Sequence, residues 1–395
     1  MAPATRRRQF ALFLTLGAAS VYGPATMDIN LPALPAIAAD LSAPVSATQL
    51  TITSYLIGLG VGQVVIGAFS DALGRRRPFV AGLILYVLAS LACAVAPSMP
   101  ALVVLRMVQG VGSATGVVTV RAIVRDVYGS EHSARYLSRL VLIIGLAPVL
   151  APSVGAQVLS VTSWRGIFVV LAVFGAATLA LTALVIPETL PPDVRRPARL
   201  HAMAGAFGEL LRQRAFVGNV AAAGLASAVM VAMITGSTFA LQERYGFTAR
   251  EFGLLFGIGA VSMIVVAQLN AWLVTQHVAP RTSALACMAL NASVELGLAA
   301  SGRFGGGAAP LCVALLLALA TWGLVASNTT ALALADQGHI AGSAAALVGL
   351  SQFGLAGIVA PLSGVAGASP QAIGFVTALC SLGAIASLVT LTRAR

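Results

Sequence analysis

Lysine is absent from this chain of 395 residues, and all 23 of its basic side chains belong to arginine. The chain therefore lacks the phosphate-binding lysine of a P-loop, the lysine of a kinase nucleotide site and any Schiff-base lysine. We expect no ATP-driven pump within this sequence.

Cysteine and histidine are scarce as well, with 4 residues of each. The cysteines stand singly inside apolar runs, which favours packing over a disulfide or a metal site: Cys93, Cys287, Cys312 and Cys380. The histidines fall in or near loops, at His132, His201, His277 and His339. No H-E-x-x-H or G-x-S-x-G motif occurs. We therefore expect no metal, no cofactor and no enzymatic activity.

Charged residues form only 9% of the chain, hydrophobic residues form 58%, and the mean hydropathy is +0.95. A soluble globular protein carries about 25% charged residues, so this composition indicates a polytopic membrane protein. Twelve apolar runs are long enough for a helix to cross a hydrocarbon core about 30 Å thick. They are 9–31, 47–69, 78–96, 101–122, 138–158, 166–186, 215–240, 252–274, 282–301, 308–329, 341–363 and 371–391.

Runs of this length must be helical, because the bilayer core offers the backbone no hydrogen-bond partner and a barrel would show alternation in shorter segments. The sequence predicts an all-α integral membrane protein with twelve transmembrane helices. The first run follows three arginines, as in a signal peptide, but eleven further runs favour an uncleaved first helix.

The net charge of +11 lies in short loops and not in a basic domain, so we expect no nucleic acid as a partner. With an even number of spans both termini share one side, which collects 18 arginines against 4 on the other. The positive-inside rule places the richer side in the cytoplasm. We expect a multi-pass protein of the inner membrane with cytoplasmic termini. The cytoplasmic set is Arg6, Arg7, Arg8, Arg75, Arg76, Arg77, Arg121, Arg125, Arg135, Arg139, Arg195, Arg196, Arg199, Arg212, Arg214, Arg281, Arg393 and Arg395, and the outer set is Arg165, Arg244, Arg250 and Arg303.

The longest polar interval, 187–214, is typical of a cytoplasmic linker, because it contains four prolines near its start and five arginines. It predicts two six-helix halves, 1–186 and 215–395. An internal sequence repeat supports the division, because "GLAPVLAPSVG" at 145–155 matches "GLAGIVAPLSG" at 354–364. Two parallel six-helix repeats with a substrate between them are a transporter architecture.

Several motifs carry a family resemblance. "GAFSDALGRRRP" at 67–78 resembles the G-x-x-x-D-x-x-G-R-R signature of the major facilitator superfamily, through Gly67, Asp71, Gly74, Arg75 and Arg76. "LRMVQGVGSA" at 105–114 is similar to the R-x-x-x-G motif of its drug/proton antiporters, and "TMDINLPALP", "VRDVYG" and "WRGIF" resemble the Bcr/CflA branch, which includes amphenicol exporters. The resemblance implies the major facilitator fold and exchange of a drug for protons.

Two segments depart from the family pattern. Span 5 reads "APSVGA" where the antiporter motif has G-P-x-x-G-G, so that Ala151 and Ala156 replace glycines while Pro152 and Gly155 remain. The counterpart of the arginine-rich turn, between spans 8 and 9, is reduced to "TQHVAPRT". In the family the arginine-rich turn is part of a cytoplasmic gate between helices, so the sequence predicts a weaker gate in the second half, where that turn is reduced.

The arginine-rich turn after span 2 has a physical role beyond its charge. Gly67 and Gly74 permit close helix approach and a tight turn, and Asp71 lies where it can accept charge-assisted hydrogen bonds from arginines or helix N-termini. The resemblance implies a cytoplasmic gate here. The alternative is that the turn is an orientation signal alone.

Apart from Arg121 and Arg139, which stand one residue from a span end, three charges fall inside the predicted spans, namely Asp28, Arg106 and Glu295. A charge there costs about 2.5–3.5 kcal/mol on insertion scales, so each requires a partner or a role. Asp28 and Arg106 lie at similar depths near the outer surface, which makes an ion pair possible; a static salt bridge without a role in transport is the alternative. Glu295 is either a second proton site or a carboxylate that snorkels outward. We predict Asp28 as the proton carrier.

The remaining candidates line a cavity or bend helices. Polar residues predicted to line a central cavity are Tyr22, Asn30, Gln49 and Gln109. Prolines and glycines predicted to bend spans 5 and 11 are Pro148, Pro152, Gly155 and Pro361. Bending in transport and a purely structural kink are both compatible with these residues.

These observations predict a proton-coupled exporter of small amphipathic drugs, such as amphenicols or other antibiotics. A mostly apolar cavity with one carboxylate and one arginine suits neutral or mildly polar substrates. The alternative is an importer of a small nutrient or metabolite with the same fold. The predicted partners are the drug, protons and the lipid bilayer, and the predicted oligomeric state is a monomer.

Overall fold

The computed structural model of the protein describes residues 6–195, 200–276, 278–301, 307–335, 337, 340–365 and 367–392. Throughout these residues the backbone is almost entirely helical, and they contain no strand. Some residues named above lie outside the described ranges: Arg196, Arg199, His277, Arg303, His339, Arg393 and Arg395.

The described helices follow one another with short connections. They are α1 (Arg6–Asp28), α2 (Leu34–Asp40), α3 (Val45–Leu73), α4 (Arg76–Ala94), α5 (Met99–Val161), α6 (Trp164–Val185), α7 (Leu200–Arg212), α8 (Arg214–Phe239), α9 (Ala249–Gln276), α10 (Pro280–Ser301), α11 (Ala309–Leu334), α12 (Ala341–Val365) and α13 (Pro370–Leu391). Turns of 3-10 helix lie at Leu31–Ala33 and Pro192–Val194, and a π-helical turn extends α8 over Ala240–Arg244.

Within the described ranges, 12 helical segments are long and apolar enough to cross a membrane, which confirms the predicted number of spans and the all-α class. We number them as spans 1 to 12: Phe10–Asp40, Val45–Leu73, Arg76–Ala94, Met99–Gly129, Ile143–Val161, Trp164–Val185, Arg214–Arg244, Ala249–Trp272, Pro280–Ser301, Ala309–Leu334, Gly342–Val365 and Pro370–Leu391.

Spans 4 and 5 differ from the prediction, because both belong to the helix α5. The interval between the predicted runs 101–122 and 138–158 is helical instead of a loop. The chain changes direction at Gly129, whose φ of 68° and ψ of 177° interrupt the helix. A positive φ is readily adopted by glycine and strains other residues, so Gly129 permits this change of direction.

Span 1 is broken near its outer end. The helix α1 ends at Asp28, a 3-10 turn follows at Leu31–Ala33, and α2 continues the span to Asp40. The predicted end at residue 31 is therefore nine residues short of Asp40. The break follows from Pro32, which cannot donate the backbone hydrogen bond to the carbonyl of Asp28 and clashes with that carbonyl in a continuous helix.

By backbone proximity the chain forms two compact units. The first consists of Met1–Asn30 and Ile57–Leu200, and the second consists of Leu31–Leu56 and His201–Arg395. The boundary between Leu200 and His201 falls inside the interval 187–214. The outer part of α3 belongs to the second unit, where the Thr53 hydroxyl donates a hydrogen bond of 2.7 Å to the carbonyl of Gly357.

Small residues allow the helices of the first unit to touch at the backbone. A Cβ on Gly155 of α5 would overlap the carbonyl of Ile29, the residue after Asp28. A Cβ on Gly116 would likewise overlap the carbonyl of Ala19 in α1. Gly155, which we predicted as a helix-bending residue, thus has a packing role at the break in span 1.

The proline candidates for bending lie inside helices. Pro148 and Pro152 fall within α5, and Pro361 falls within α12. Each removes one backbone donor from its helix, which is a general cause of kinks. Their participation in a conformational change stays a prediction.

Replacing Gly155 by alanine should lower stability, because the added methyl group forces α5 away from the Ile29 carbonyl. Overpacking of this kind costs about 1–3 kcal/mol, which thermal unfolding of the purified protein in detergent measures. Gly354→Ala is the matched control: nothing lies within 4 Å of its Cβ position. An unfolding midpoint for Gly155→Ala equal to that of the control would contradict the close packing.

Candidate functional site

Asp28 occupies the last position of α1, immediately before the break in span 1, and is 6% exposed. Among the described residues the carboxylate of Asp28 has no ion-pair partner. The expected ion pair with Arg106 is therefore not formed in this structure, although both residues belong to the first unit. Asp28 is a buried carboxyl without a counter-ion, next to an irregular piece of backbone.

Arg106 is directed toward the same break but binds neutral groups. Its Nη1 donates to Gln109 Oε1 at 2.6 Å and to the carbonyl of Thr26 at 3.5 Å, and its guanidinium lies 5.7 Å from the centre of the Phe168 ring. The side chain is 1% exposed. Because Pro32 disturbs the helix, the Thr26 carbonyl is open to a side-chain donor, and Arg106 fills that role.

Asn30 competes for the same acceptor. Its Nδ2 donates to the Thr26 carbonyl at 2.9 Å, while its backbone N–H bonds to Met27 instead of continuing the helical pattern to Thr26. The Oδ1 atom of Asn30 is buried without a protein partner among the described residues. Asn30 thus stabilises the break and leaves one buried acceptor available.

Gln109 extends the polar chain from Arg106 into span 3. Its Nε2 donates to Ser90 Oγ at 2.7 Å, and Ser90 in turn donates to the carbonyl of Tyr86 at 2.7 Å. The hydroxyls of Tyr86 and Thr26 lie 2.6 Å apart. The chain of hydrogen bonds therefore starts and ends at Thr26 and joins spans 1, 3 and 4 around the break.

Tyr22 packs beside this chain, one helical turn before Thr26. Its ring lies 4.7 Å from that of Tyr86, and its hydroxyl donates to the carbonyl of Gly175 at 3.4 Å. The structure thus brings together four of the seven residues predicted for coupling and the cavity, namely Arg106, Tyr22, Asn30 and Gln109. Asp28 belongs to the same unit and follows Thr26 by two residues.

Gln49 belongs to the second unit. Its Nε2 lies 3.4 Å from Thr235 Oγ1 and 3.3 Å from Ser363 Oγ, so it joins spans 2, 7 and 11. Its Oε1 is buried without a partner among the described residues, beside the position of a Cβ on Gly364. Gln49 is therefore a packing contact within the second unit.

Glu295 is enclosed between α10 and α13 in the second unit. Its Oε2 accepts a hydrogen bond of 2.7 Å from Ser381, while Oε1 has no partner among the described residues. The side chain is 1% exposed. The alternative of outward snorkelling is therefore wrong, because the neighbouring helix covers the carboxyl group.

The arginine-rich turn forms an ion-paired corner in the first unit. Arg75 reaches Asp71 Oδ1 at 2.5 Å, Asp126 Oδ2 at 2.9 Å and Ser70 Oγ at 3.1 Å. Burial lowers the pKa of Arg75, but the hydrogen bonds and charges of Asp126 and Asp71 outweigh it and raise the pKa above its ordinary value. This fixed cation ties the ends of spans 2 and 4 to the turn before span 3.

The glycines of this corner have different surroundings. Gly74 has a φ of +92°, and a Cβ there would overlap the carboxylate of Glu188. Gly67 has only ordinary contact with Val118. The turn therefore requires glycine at 74 for two reasons, whereas Gly67 contributes side-by-side packing of α3 and α5.

Glu188 is a member of the corner that the sequence did not reveal. Its Oε1 accepts from the backbone N–H of Arg75 at 2.7 Å, and its Oε2 accepts from that of Arg76 at 3.3 Å. The signal in the sequence was indirect: α4 begins with arginines and has no capping side chain of its own. An acidic residue at a helix N-terminus supplies the missing acceptors.

Several forces act on the Glu188 carboxyl. Burial raises its pKa, but the N–H groups of Leu190, Arg75 and Arg76 and the charge of Arg195 outweigh burial, so the pKa lies below its ordinary value. The carboxylate is thus held ionised at the start of span 3.

The second unit joins the corresponding spans without charge. Asn270 in span 8 and Asn328 in span 10 exchange two amide hydrogen bonds of 3.1 Å, and Ser283 at the start of span 9 donates to Asn270 at 2.9 Å. Both asparagines are buried. The weaker second gate predicted from "TQHVAPRT" lacks the arginine-rich turn, but the spans on either side of it are joined by amides.

The Major Facilitator Superfamily model matches residues 14–361 of this chain. The chain is 37% identical over 262 residues to a Bacillus subtilis (strain 168) protein named uncharacterized MFS-type transporter YdgK, with 66% of this chain and 65% of that protein covered. It is 32% identical over 271 residues to the bicyclomycin resistance protein homolog of Haemophilus influenzae, with 69% and 68% covered.

A further relative is the multidrug resistance protein MdtL of Salmonella heidelberg (strain SL476), with 31% identity over 243 residues and 61% of each chain covered. The chain thus spans less than two thirds of the length of this relative and of YdgK. Among solved structures, a D-xylose-proton symporter has a TM-score of 0.76 at 15% identity and covers 98% of both chains. At that identity the likeness concerns the fold alone.

We expect acid stability to depend on Glu188. Because its pKa is lowered from 4.5 in the folded protein, its contribution is complete above that value and is lost as the pH falls through the folded pKa. The unfolding temperature of Glu188→Gln should therefore fall less than that of the wild type when the pH is lowered from about 5 to about 3. Asp193→Asn, at an exposed position of the same loop, is the control. Equal acid dependence in Glu188→Gln and wild type would refute the capping role.

Proposed function

The chain belongs to the Major Facilitator Superfamily, as its motifs predicted, and we propose that it exports small amphipathic antibiotics across the cytoplasmic membrane in exchange for protons. The observation that carries this proposal is the buried Asp28 carboxyl at the break in span 1, within one helical turn of the carbonyl that binds Arg106. Relatives named for bicyclomycin and multidrug resistance support the substrate class.

Asp28 is proposed as the proton carrier. A buried carboxyl without a counter-ion is more stable when protonated, because desolvation disfavours the charged form. The break beside it exposes backbone polar groups that water or a drug can bind. When the site opens outward Asp28 takes a proton, and when it opens inward the proton leaves before or as the drug enters.

Arg106 is proposed to stabilise the deprotonated state. In this structure the guanidinium binds Gln109 and Thr26, which are neutral. An opposite charge within about 4–6 Å stabilises a carboxylate, and Thr26 is only two residues before Asp28. A small movement that exchanges these neutral acceptors for the Asp28 carboxylate would release the proton.

The substrate is proposed to occupy a mostly apolar cavity, and the protein is proposed to act as a monomer with cytoplasmic termini. Drug and proton then compete for one site, which is the coupling that antiport requires. The corner of Asp71, Arg75 and Asp126 is proposed as a cytoplasmic gate, because its ion pairs join span ends and lie far along the helices from Asp28.

Expression in an efflux-deficient host tests this function, with chloramphenicol, florfenicol, bicyclomycin, tetracycline and cationic dyes as substrates. Inverted membrane vesicles then show direction: proton-driven accumulation of the drug inside them supports export. Depletion of the drug from the vesicles, or accumulation of a nutrient in right-side-out vesicles alone, would indicate an importer.

Asp28→Asn should abolish proton-driven efflux, since the amide mimics the protonated carboxyl and cannot release a proton. Drug-induced proton release from the purified protein in detergent is the measurement. Glu295→Gln is the matched comparison, because it removes the other deeply buried carboxyl while Ser381 can still bind the amide. Loss of release in Glu295→Gln together with normal release in Asp28→Asn would assign the proton to Glu295.

Arg106→Ala should reduce efflux more than Arg106→Lys. Alanine leaves Gln109 and the Thr26 carbonyl without their charged donor, which costs about 1.5–3 kcal/mol of hydrogen-bond energy. We expect the transport rate to fall tenfold or more. Lysine retains one charged donor and should lower the rate less. Initial rates of drug uptake in inverted vesicles measure the difference. If both variants transport like the wild type, the arginine has no part in coupling.

A further inference from the structure

The three consecutive arginines at 75–77 have different surroundings. Arg75 is ion-paired with Asp71 and Asp126, and Arg76 donates through Nη2 to the carbonyl of Ala183 at 2.8 Å. Arg77 is exposed, and no described residue forms an ion pair or a hydrogen bond with it. Ion pairs thus engage the first arginine and a backbone carbonyl engages the second, while the third has no partner among the described residues.

Arg77 lines the mouth of a groove of about 330 Å³ on the first unit. The wall is otherwise apolar and comes from α3, α4 and α5, with Ile66, Phe69, Leu73, Ala81 and Leu85 among its residues. Phe69, Leu73 and Leu85 are 46%, 45% and 36% exposed, so the groove opens on the outer surface of the helices.

The groove runs along α4 from the arginine-rich turn, because its lining residues on that helix extend from Arg77 to Leu85. Arg77 stands in the first turn of α4 and Leu85 two turns further, a distance of about 12 Å at 1.5 Å per residue. A hydrocarbon core about 30 Å thick gives each leaflet about 15 Å, so this length matches most of the depth that one phospholipid acyl chain spans. The cation lies at the membrane edge, where a lipid phosphate lies, and the apolar wall lies where the acyl chain lies.

We propose that this groove binds one anionic phospholipid of the leaflet on the arginine-rich side, with its phosphate on Arg77 and an acyl chain along α4. Charge complementarity selects an anionic headgroup, because the only charged side chain in the lining is a cation. A free phosphate ion would gain nothing from the apolar wall, whereas a lipid uses both parts of the site.

Binding of lipids to the purified, delipidated full-length protein tests the proposal, by native mass spectrometry in detergent with phosphatidylglycerol and phosphatidylcholine as probes. The wild type should retain one phosphatidylglycerol more tightly than phosphatidylcholine. Arg77→Gln should weaken that binding about fivefold, the factor for one basic residue at an anionic lipid surface. Arg139→Gln, an exposed arginine of the same unit and outside the groove, should have no effect.

A second variant tests the apolar part of the site. Ala81→Trp fills the groove and keeps Arg77, so it should displace the lipid, while Ala177→Trp at an exposed position of α6 should not. Thermal unfolding establishes that each variant is folded.

Three results would overturn the proposal. The first is phosphatidylglycerol binding by folded Arg77→Gln equal to that of the wild type. The second is equal binding of phosphatidylcholine and phosphatidylglycerol by the wild type. The third is complete competition by inorganic phosphate at equal concentration, which would show a simple anion site.

Discussion

The core of a bilayer contains no water to satisfy a polar group, and each buried polar group of this protein has to meet that constraint inside the chain. The backbone meets it by forming helices. Some side chains meet it in pairs, as the amides of Asn270 and Asn328 do, and others meet it only in part, as Glu295 does through Ser381 at Oε2. Several buried side-chain atoms remain without a hydrogen-bond partner among the described residues, and Asn30 Oδ1 at the break in span 1 is one of them.

The break in span 1 is the main place where the backbone cannot satisfy itself. Pro32 has no N–H for the carbonyl of Asp28, and the displaced backbone of Asn30 leaves the Thr26 carbonyl to side chains. Arg106 and Asn30 both donate to that carbonyl. The arginine is thus held on the Thr26 carbonyl, two residues before Asp28 in the chain, by the needs of the backbone and without an ion pair to Asp28. A proline in the sequence is in this way the cause of the polar site.

Sequence reasoning identified the spans because their length and hydrophobicity depend on the bilayer alone. It also found Asp28 and Arg106, since a charge is rare in such runs. The sequence did not reveal the partners of these two residues, because equal depth in two helices does not determine which helix faces meet. In the structure Arg106 binds Gln109 and Thr26. Gln49 shows the same limit, because its neighbours on spans 7 and 11 lie far away along the chain.

The helix break inside span 1 and the capping by Glu188 were missed for a related reason. Pro32 and Pro35 lie just beyond residue 31, where the predicted run ends, so they marked the end of the predicted span and not a break within it. Glu188 stands 112 residues after Arg76, so only the uncapped start of α4 pointed to a distant acceptor.

The first unit joins its span ends by ion pairs around Arg75, and the second unit joins the corresponding spans by the amides of Asn270 and Asn328. The two kinds of bond differ in the free energy needed to separate them. Asp71 is 58% exposed at its side chain, so separating it from Arg75 lets water solvate both charges, and an exposed ion pair contributes only about 0–1 kcal/mol. Asn270 and Asn328 are 5% and 6% exposed, so separating them would leave two amides without partners. The exposed Asp71 carboxylate can therefore leave Arg75 at small cost in free energy, whereas the shielded pair of Arg75 and Asp126 and the amide pair of spans 8 and 10 are costly to separate. A gate is expected where the bonds are exchangeable with water, which favours the corner of the first unit.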